Sequence, residues 1–291
     1  MSRRFLVLVN PAAAGGRAVG NLSPVTTELE RLGAPYRVST TRSLDDAKAQ
    51  AASAAQDGET VAALGGDGFL RPIASALRGT KSALAIIPGG RGNDLARVLA
   101  VPKDPVQAAR LAVEGREQKI DMALLDGIPY LGIASFGFDS DANRIANQAR
   151  LVKGNLVYLY AALRALVAWR PATFTVTVDG ERHEFTGYSV AVANSRSYGG
   201  GMLMAPHAEL DDGQLDVVMT GSVSKLRALR SLPKLFNGTH IDDPNIHTAR
   251  GSVVEVAADR PFDIYADGDA VGALPTTMRI EPRCLRVIVP R

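Results

Sequence analysis

Phe5 to Val9 is an unbroken apolar run closed by Asn10-Pro11 and a Gly/Ala stretch. A run of that kind suits a strand buried on both faces, and such strands belong to parallel sheets covered by helices. Thr60 to Leu64 and Leu84 to Ile87 also read as strands, and Tyr36 to Ser39 as a short one. Between them the spacing turns helical, at Leu22 to Leu32 before Gly33, at the alanine-rich Leu44 to Ala55 before Asp57-Gly58, and at Ile73 to Leu77. This βαβα alternation predicts right-handed crossovers and an open α/β sheet. Ligands of such sheets sit on the loops after the strand C-termini, here Asn10 to Gly16, Gly65 to Gly68 and Pro88 to Asp94.

From about Lys119 the texture changes to short β-type runs: Ile120 to Leu125, Tyr130 to Ser135, Phe174 to Val178, Tyr188 to Ala193, Leu215 to Met219, Ser252 to Ala257, Phe262 to Ala266 and Met278 to Ile280. They predict an antiparallel sandwich, interrupted by helical stretches at roughly Asp141 to Pro171 and Ser224 to Phe236. Cys284 to Val289 is apolar enough to return as a strand to the first domain. The expected division is therefore 1–120 with about 282–291, and 121–281.

Composition removes several classes. With 46% hydrophobic residues, 22% charged and a net charge of +3, the chain has material for a core and no charge excess to keep it open. The longest apolar run, Leu156 to Trp169, is broken by Arg164 and is shorter than the roughly 20 residues that span a bilayer. The apolar part of the N-terminus is too short for a signal-peptide core and reads as the first strand. A single cysteine, Cys284, forms no internal disulfide, which fits a reducing, cytoplasmic setting; four scattered histidines offer no zinc spacing. A pI near 9.1 on so small a net charge does not call for nucleic acid.

The chemistry lies in the loops. Gly65, Gly66 and Gly68 permit positive φ and close backbone approach, so that amide N–H groups and the next helix N-terminus face a phosphate. Asp67 among them repels phosphate unless a divalent cation lies between, which points to Mg²⁺; a plain strand-to-helix turn is the other reading. In the third loop Gly90 and Gly92 free the backbone, Arg91 and Arg97 counter phosphate charge, and Asn93 and Asp94 suit a helix N-cap near Leu95. Asn10, Pro11, Gly15 and Gly16 form a third phosphate-facing loop.

In order and spacing these loops resemble the diacylglycerol kinase catalytic family over essentially the whole chain. The family's Asn-Pro-x-x-Gly, Gly-Gly-Asp-Gly-Thr, Gly-Thr-x-Asn-Asp-Leu-Ala-Arg and Asp-Gly-Glu motifs correspond to Asn10 to Gly16, Gly65 to Phe69, Gly90 to Arg97 and Asp267 to Asp269. The resemblance implies an α/β nucleotide-binding domain of NAD-kinase and phosphofructokinase type, a C-terminal β-sandwich, and an active site in the cleft between them. It implies ATP and Mg²⁺ as cofactors and places Thr41 with the loop residues in the nucleotide site. Catalysis falls to Asp269 as the base for a lipid hydroxyl, with Asp67 and Asp267 beside it. Two family threonines are replaced, by Phe69 and Arg91, and the catalytic Glu by the shorter Asp269. Asp267-Gly268-Asp269 also reads as an ordinary hairpin turn. Pro72 suits a first helical turn. By the same resemblance a structural Mg²⁺ is held by Asp212 with the carbonyls of Glu209 and Gln214, a solvated acidic loop being the alternative.

On a helical wheel Leu226, Leu229, Leu232, Leu235 and Phe236 share one face of Lys225 to Phe236, opposite Arg227, Arg230 and Lys234. Such a segment suits an anionic bilayer or a core-facing helix, and Leu156 to Trp169 an acyl-chain wall or core. The histidines read as surface or turn residues. The expectation is a cytoplasmic, membrane-visiting kinase that converts diacylglycerol to phosphatidic acid. Another lipid alcohol such as a sphingoid base, a non-catalytic nucleotide-binding regulator and an NAD-kinase-like enzyme are the rivals; a homodimer is left open.

Overall fold

Continuous apolar runs need cover on both faces, and the computed structural model, which describes residues 3–13, 17–148, 160, 163–167 and 169–291, gives it to them. The first half runs β1 (Phe5–Val9), α1 (Arg17–Gly20), α2 (Leu22–Arg31), β2 (Tyr36–Thr40), α3 (Leu44–Gln56) and β3 (Thr60–Gly65). It continues with α4 (Asp67–Leu77), β4 (Ala83–Pro88), α5 (Asp94–Val98), α6 (Pro105–Glu114) and β5 (Arg116–Leu125). Strands β1, β3 and β4 are buried at every residue and pair in parallel, while the more polar β2 takes the edge. Helix α6, not expected from the sequence, starts at Pro105, and the Asp104 side chain accepts the Gln107 N–H as its N-cap. Helix α4 starts six residues earlier than its apolar spacing suggests, so Pro72 lies inside it rather than in the first turn. Lacking an N–H, Pro72 gives no helical bond to the Gly68 carbonyl.

The second half runs β6 (Ile128–Tyr130), β7 (Ile133–Gly137), α7 (Phe138–Gln148), β8 (Ala172–Val178), β9 (Glu181–Ala193) and β10 (Leu215–Gly221). After α8 (Lys225–Ser231) and 3₁₀ turns at Leu232–Phe236 and Thr239–Asp242 come β11 (Ile246–Gly251), β12 (Val253–Ala258), β13 (Asp263–Ala266), β14 (Asp269–Ala273) and β15 (Thr276–Val289). The run expected at Tyr130 to Ser135 is cut by Leu131-Gly132 into two strands. Buried and half-buried positions alternate along β8, the pattern of a sheet with one covered face. Strand β9 serves two ladders: its first half pairs with β8, and from Ser189 on it lies between β7 and β10. Tyr130, Phe136, Trp169, Phe174 and Phe262 sit in the sandwich core. Strands β11 and β14 were not predicted, because neither carries an apolar run.

The chain forms two compact units, residues 1–122 with 282–291 and residues 123–281. Strand β15 contributes to both units, pairing antiparallel with β12 at Thr276 to Arg279 and parallel with β4 at Arg286 and Val287. Pro233 ends the regular part of α8 and turns the chain into 3₁₀ geometry. Half of the Leu156 to Trp169 run lies outside the described residues.

Candidate functional site

In the first unit three strand ends present their loops. Thr41 is buried, and both its N–H (3.0 Å) and its hydroxyl (3.2 Å) donate to the carbonyl of Val9 at the end of β1. Next to it the Asn10 side-chain oxygen accepts the Ala12 N–H at 3.0 Å, folding the loop back on itself past the exposed Pro11. Gly15 and Gly16 lie outside the described residues.

The second and third loops meet backbone to backbone. A Cβ on Gly66 would lie 3.0 Å from the Gly90 Cα, and a Cβ on Gly90 would lie 2.5 Å from the Gly66 Cα. Close approach is therefore the reason for these glycines. The expected positive φ is not: Gly66 has φ −105°, and Gly68 lies in the first turn of α4. Phe69, where the family has threonine, is 2% exposed, and its ring fills the space a Gly65 side chain would need.

Asn93 adopts φ +50° and does not cap α5; its side chain is tied to both the N–H (2.9 Å) and the carbonyl (3.0 Å) of Gly90. Asp67 accepts the Leu95 N–H at 3.3 Å, so the carboxylate of one loop caps the helix of the other. A Cβ on Gly92 would lie 3.0 Å from Asp94 Oδ2 and 3.1 Å from Asp67 Oδ2. Two carboxylates thus converge over one glycine, the hard oxygen donors that a Mg²⁺ ion takes. Arg97 lies 3.9 Å from Asp94, and Arg91 is exposed on the same loop.

In the second unit Asp267 (φ +53°) and Gly268 (φ +89°) form the two-residue turn of the β13–β14 hairpin, with Ala266 paired to Asp269. The Asp267 carboxylate accepts the N–H groups of Leu131 and Gly132, both at 2.8 Å. A Cβ on Gly132 would come within 2.7 Å of that carboxylate, so the glycine leaves room for it. Asp269, half-buried, opens β14 at the tip of this clamped hairpin. Below, Tyr130 is fully buried and donates to the Val192 carbonyl; burial, then the nearby Asp267 charge, pushes its phenol well up from the usual range.

Among the residues predicted to hold a structural metal, Asp212 is engaged by protein partners: it accepts the Gln214 N–H at 3.0 Å and pairs with the Arg250 guanidinium, which also lies 3.3 Å from Asp216. Glu209 is exposed. Among the described residues no three His, Cys, Asp or Glu side chains gather as a metal-binding group. His240 is not a surface residue. It is 2% exposed and its Nε2 lies 3.0 Å from the Met204 carbonyl; burial pushes its pKa down.

The wheel of α8 divides in space. Leu226, Leu229 and Phe236 are exposed, whereas Leu232 and Leu235 face a cavity of about 90 Å³ whose walls include Phe138, Leu166, Tyr188 and Met204. Arg227, expected on the basic face, is bonded to Asp243 at 2.9 Å. No helix among the described residues is long and apolar enough to cross a membrane.

Residues 4–125 match the diacylglycerol kinase catalytic domain, and residues 132–289 match the YegS C-terminal NAD kinase beta sandwich-like domain. A diacylglycerol kinase of Mycobacterium tuberculosis is 35% identical over 99% of this chain and 96% of its own length. The chain belongs to the diacylglycerol/YegS-like lipid kinase family. A diacylglycerol kinase of Bacillus subtilis is 24% identical over 99% of the chain and 97% of its own, and a probable lipid kinase YegS-like of Klebsiella pneumoniae is 29% identical over 80% and 78%. The crystal structure of a diacylglycerol kinase from Bacillus anthracis shares the fold, with a TM-score of 0.76 at 21% identity over 99% of this chain and 97% of that one. Membership makes the protein a kinase whose family uses ATP and a lipid acceptor. The α/β fold of the first unit and the sandwich of the second agree with what the motifs implied.

Proposed function

We propose that this lipid kinase transfers the γ-phosphoryl group of ATP to the free hydroxyl of diacylglycerol, giving phosphatidic acid. The observation that carries the acceptor is the cavity of the second unit. Its largely apolar walls suit hydrocarbon rather than a sugar or nucleotide.

The loops of the first unit supply the nucleotide site. Asn10, Thr41, the Gly65–Gly68 turn and the Gly90–Asp94 loop line it, the glycines leaving room for close approach of phosphate oxygens and the exposed Arg91 adding a cation. Asp67 and Asp94 would hold Mg²⁺, which when bound neutralises charge developing on the transferred group. At the Asp212 loop a structural Mg²⁺ would share the carboxylate with Arg250, which also lies beside Asp216. Asp269 accepts the proton of the attacking hydroxyl, and Asp267 holds the hairpin that carries it. An Asp in place of the family's Glu is one methylene shorter, so the acceptor hydroxyl must approach the hairpin more closely. The exposed Leu226, Leu229 and Phe236, with Arg230 and Lys234 nearby, suit a protein that works against the inner face of a membrane.

The test is transfer of labelled γ-phosphate from ATP with Mg²⁺ to diacylglycerol in mixed micelles, with a sphingoid base alongside and Asp269→Asn as control. Transfer to diacylglycerol that falls by roughly 10²-fold or more in the variant, with ATP binding retained, is the expected result. Transfer to the sphingoid base alone would replace the acceptor, and a fully active variant would remove Asp269 from its role.

A further inference from the structure

A second pocket of the sandwich unit lies away from the hairpin tip. It is an open pocket of about 450 Å³ whose wall includes Ser140, Arg144, Trp169, Arg170 and Arg260. Asp263 and Ala273, which also line it, pair at the open end of the β13–β14 hairpin. Four residues of strand separate that end from Asp267, about 13 Å at roughly 3.3 Å per residue.

Three arginines on one wall are a large charge to gather without a reason. Arg144 is answered by Asp141, also in the wall, at 2.9 Å. Arg260 is held over the Trp169 ring, 5.3 Å from its centroid, and over Phe262 at 5.0 Å, and it donates to backbone carbonyls of Arg170 and Pro171. The wall thus sets three guanidinium groups against the two carboxylates of Asp141 and Asp263, a net positive charge. Two buried donors accompany them. Ser140, in the first turn of α7, and Trp169 are each 4% exposed, and neither the Ser140 hydroxyl nor the Trp169 indole N–H has a hydrogen-bond partner among the described residues. A buried donor left unmade costs free energy, and two in a wall of net positive charge fit an anionic acceptor with several oxygens.

We infer that this pocket binds a phosphate group, that of an anionic phospholipid headgroup, at a site separate from the phosphoryl-transfer residues. The lipid source is favoured by what precedes Trp169 in the chain: Tyr160, Leu163 and Val167 are exposed, Val167 by 77%. Lys225 of α8 donates to the Val167 carbonyl, which ties the two segments together at that point. Aromatic and apolar side chains beside arginines are the composition of a membrane-surface contact. The site is independent of which lipid is phosphorylated, and its test uses no turnover.

Trp169 is the one tryptophan of the sequence, so intrinsic emission reports the pocket directly. Emission is followed while the full chain is titrated with phosphatidylcholine vesicles, with phosphatidylcholine–phosphatidylglycerol vesicles, and with inorganic phosphate against chloride at equal ionic strength. A saturable change with the anionic vesicles, absent with neutral ones, is expected. Ser140→Ala removes a donor without altering charge and should raise the vesicle concentration at half-response roughly fivefold; Arg170→Gln should do at least as much. A matching response to inorganic phosphate would support the site and make free phosphate its source. Equal responses to neutral and anionic vesicles, or variants that both titrate as wild type, would overturn the proposal.

Discussion

Gly65 to Gly68 and Asp267 to Asp269 are both glycine–aspartate turns after a strand, and they are built on different physics. At Gly66 the backbone is ordinary and the side chain is missing because Gly90 of another loop occupies its place. At Gly268 nothing lies within 4 Å of where a Cβ would go, and glycine is there for its φ of +89°. The aspartates differ likewise. Asp67 reaches across to cap a helix 28 residues on, whereas Asp267 locks its own turn onto Leu131 and Gly132. One string of letters thus serves close approach in the first unit and handed geometry in the second.

That contrast is open to direct attack. Phe69→Thr, which restores the hydroxyl of the family motif, should cost about 3 kcal/mol in denaturant unfolding, because it empties the space against Gly65. If the variant is as stable as wild type, the ring is not what Gly65 accommodates. Gly90→Ala should cost roughly 3 kcal/mol by forcing two backbones apart, and ATP affinity measured by calorimetry should fall with it; Gly268→Ala should cost about 1 kcal/mol, from φ alone. Equal losses would erase the distinction. Asp267→Ala should cost roughly 2 kcal/mol, since it strands two amide donors, while Asp267→Asn keeps one acceptor and should cost less. If Ala and Asn behave alike, the clamp contributes nothing.

The smallest effect is set by pH. In the first unit hydrogen bonds from Arg31 and Arg110 hold the Glu28 carboxyl down at about 2. In the second the Asn245 side chain and N–H, with Arg227, hold Asp243 at about 2, below its ordinary 3.8. Both folded values are depressed, so the stability they confer is present above the unfolded values and is lost as pH falls through about 2. Thermal melts of Glu28→Gln and Asp243→Asn should show deficits at neutral pH that shrink between about pH 4 and pH 2. A deficit that holds constant over that window would mean the carboxylate charge is not its source.

How far the sequence reached follows the same division between local and distant causes. Strands β1, β3 and β4 were legible because burial on both faces writes itself as an apolar run. Strand β14 was not, because its five residues are mostly exposed and it exists by pairing with β13. Helix α6 carried a readable signal, Asp104-Pro105, that the apolar spacing did not draw out. The loops were legible as family motifs, yet the pairing of Asp67 with Leu95, of Asp212 with Arg250 and of Asp267 with Leu131 joins positions that no local pattern links. Arg250 illustrates the point: it lies on β11, itself unpredicted, so a cation already supplied by the chain was invisible beside the acidic loop it serves.

Strand β15 carries a consequence for how the protein is made. Its last residues complete the sheet of the first unit beside β4, so that sheet waits on the ribosome until the rest of the chain has been translated. At about 5–20 residues per second the delay is on the order of ten seconds, during which β4 is an open, apolar edge. Residues 123–281 are contiguous, yet β12 likewise waits for Thr276 to Arg279 of the same strand. Both units are therefore closed by one strand at the end of synthesis.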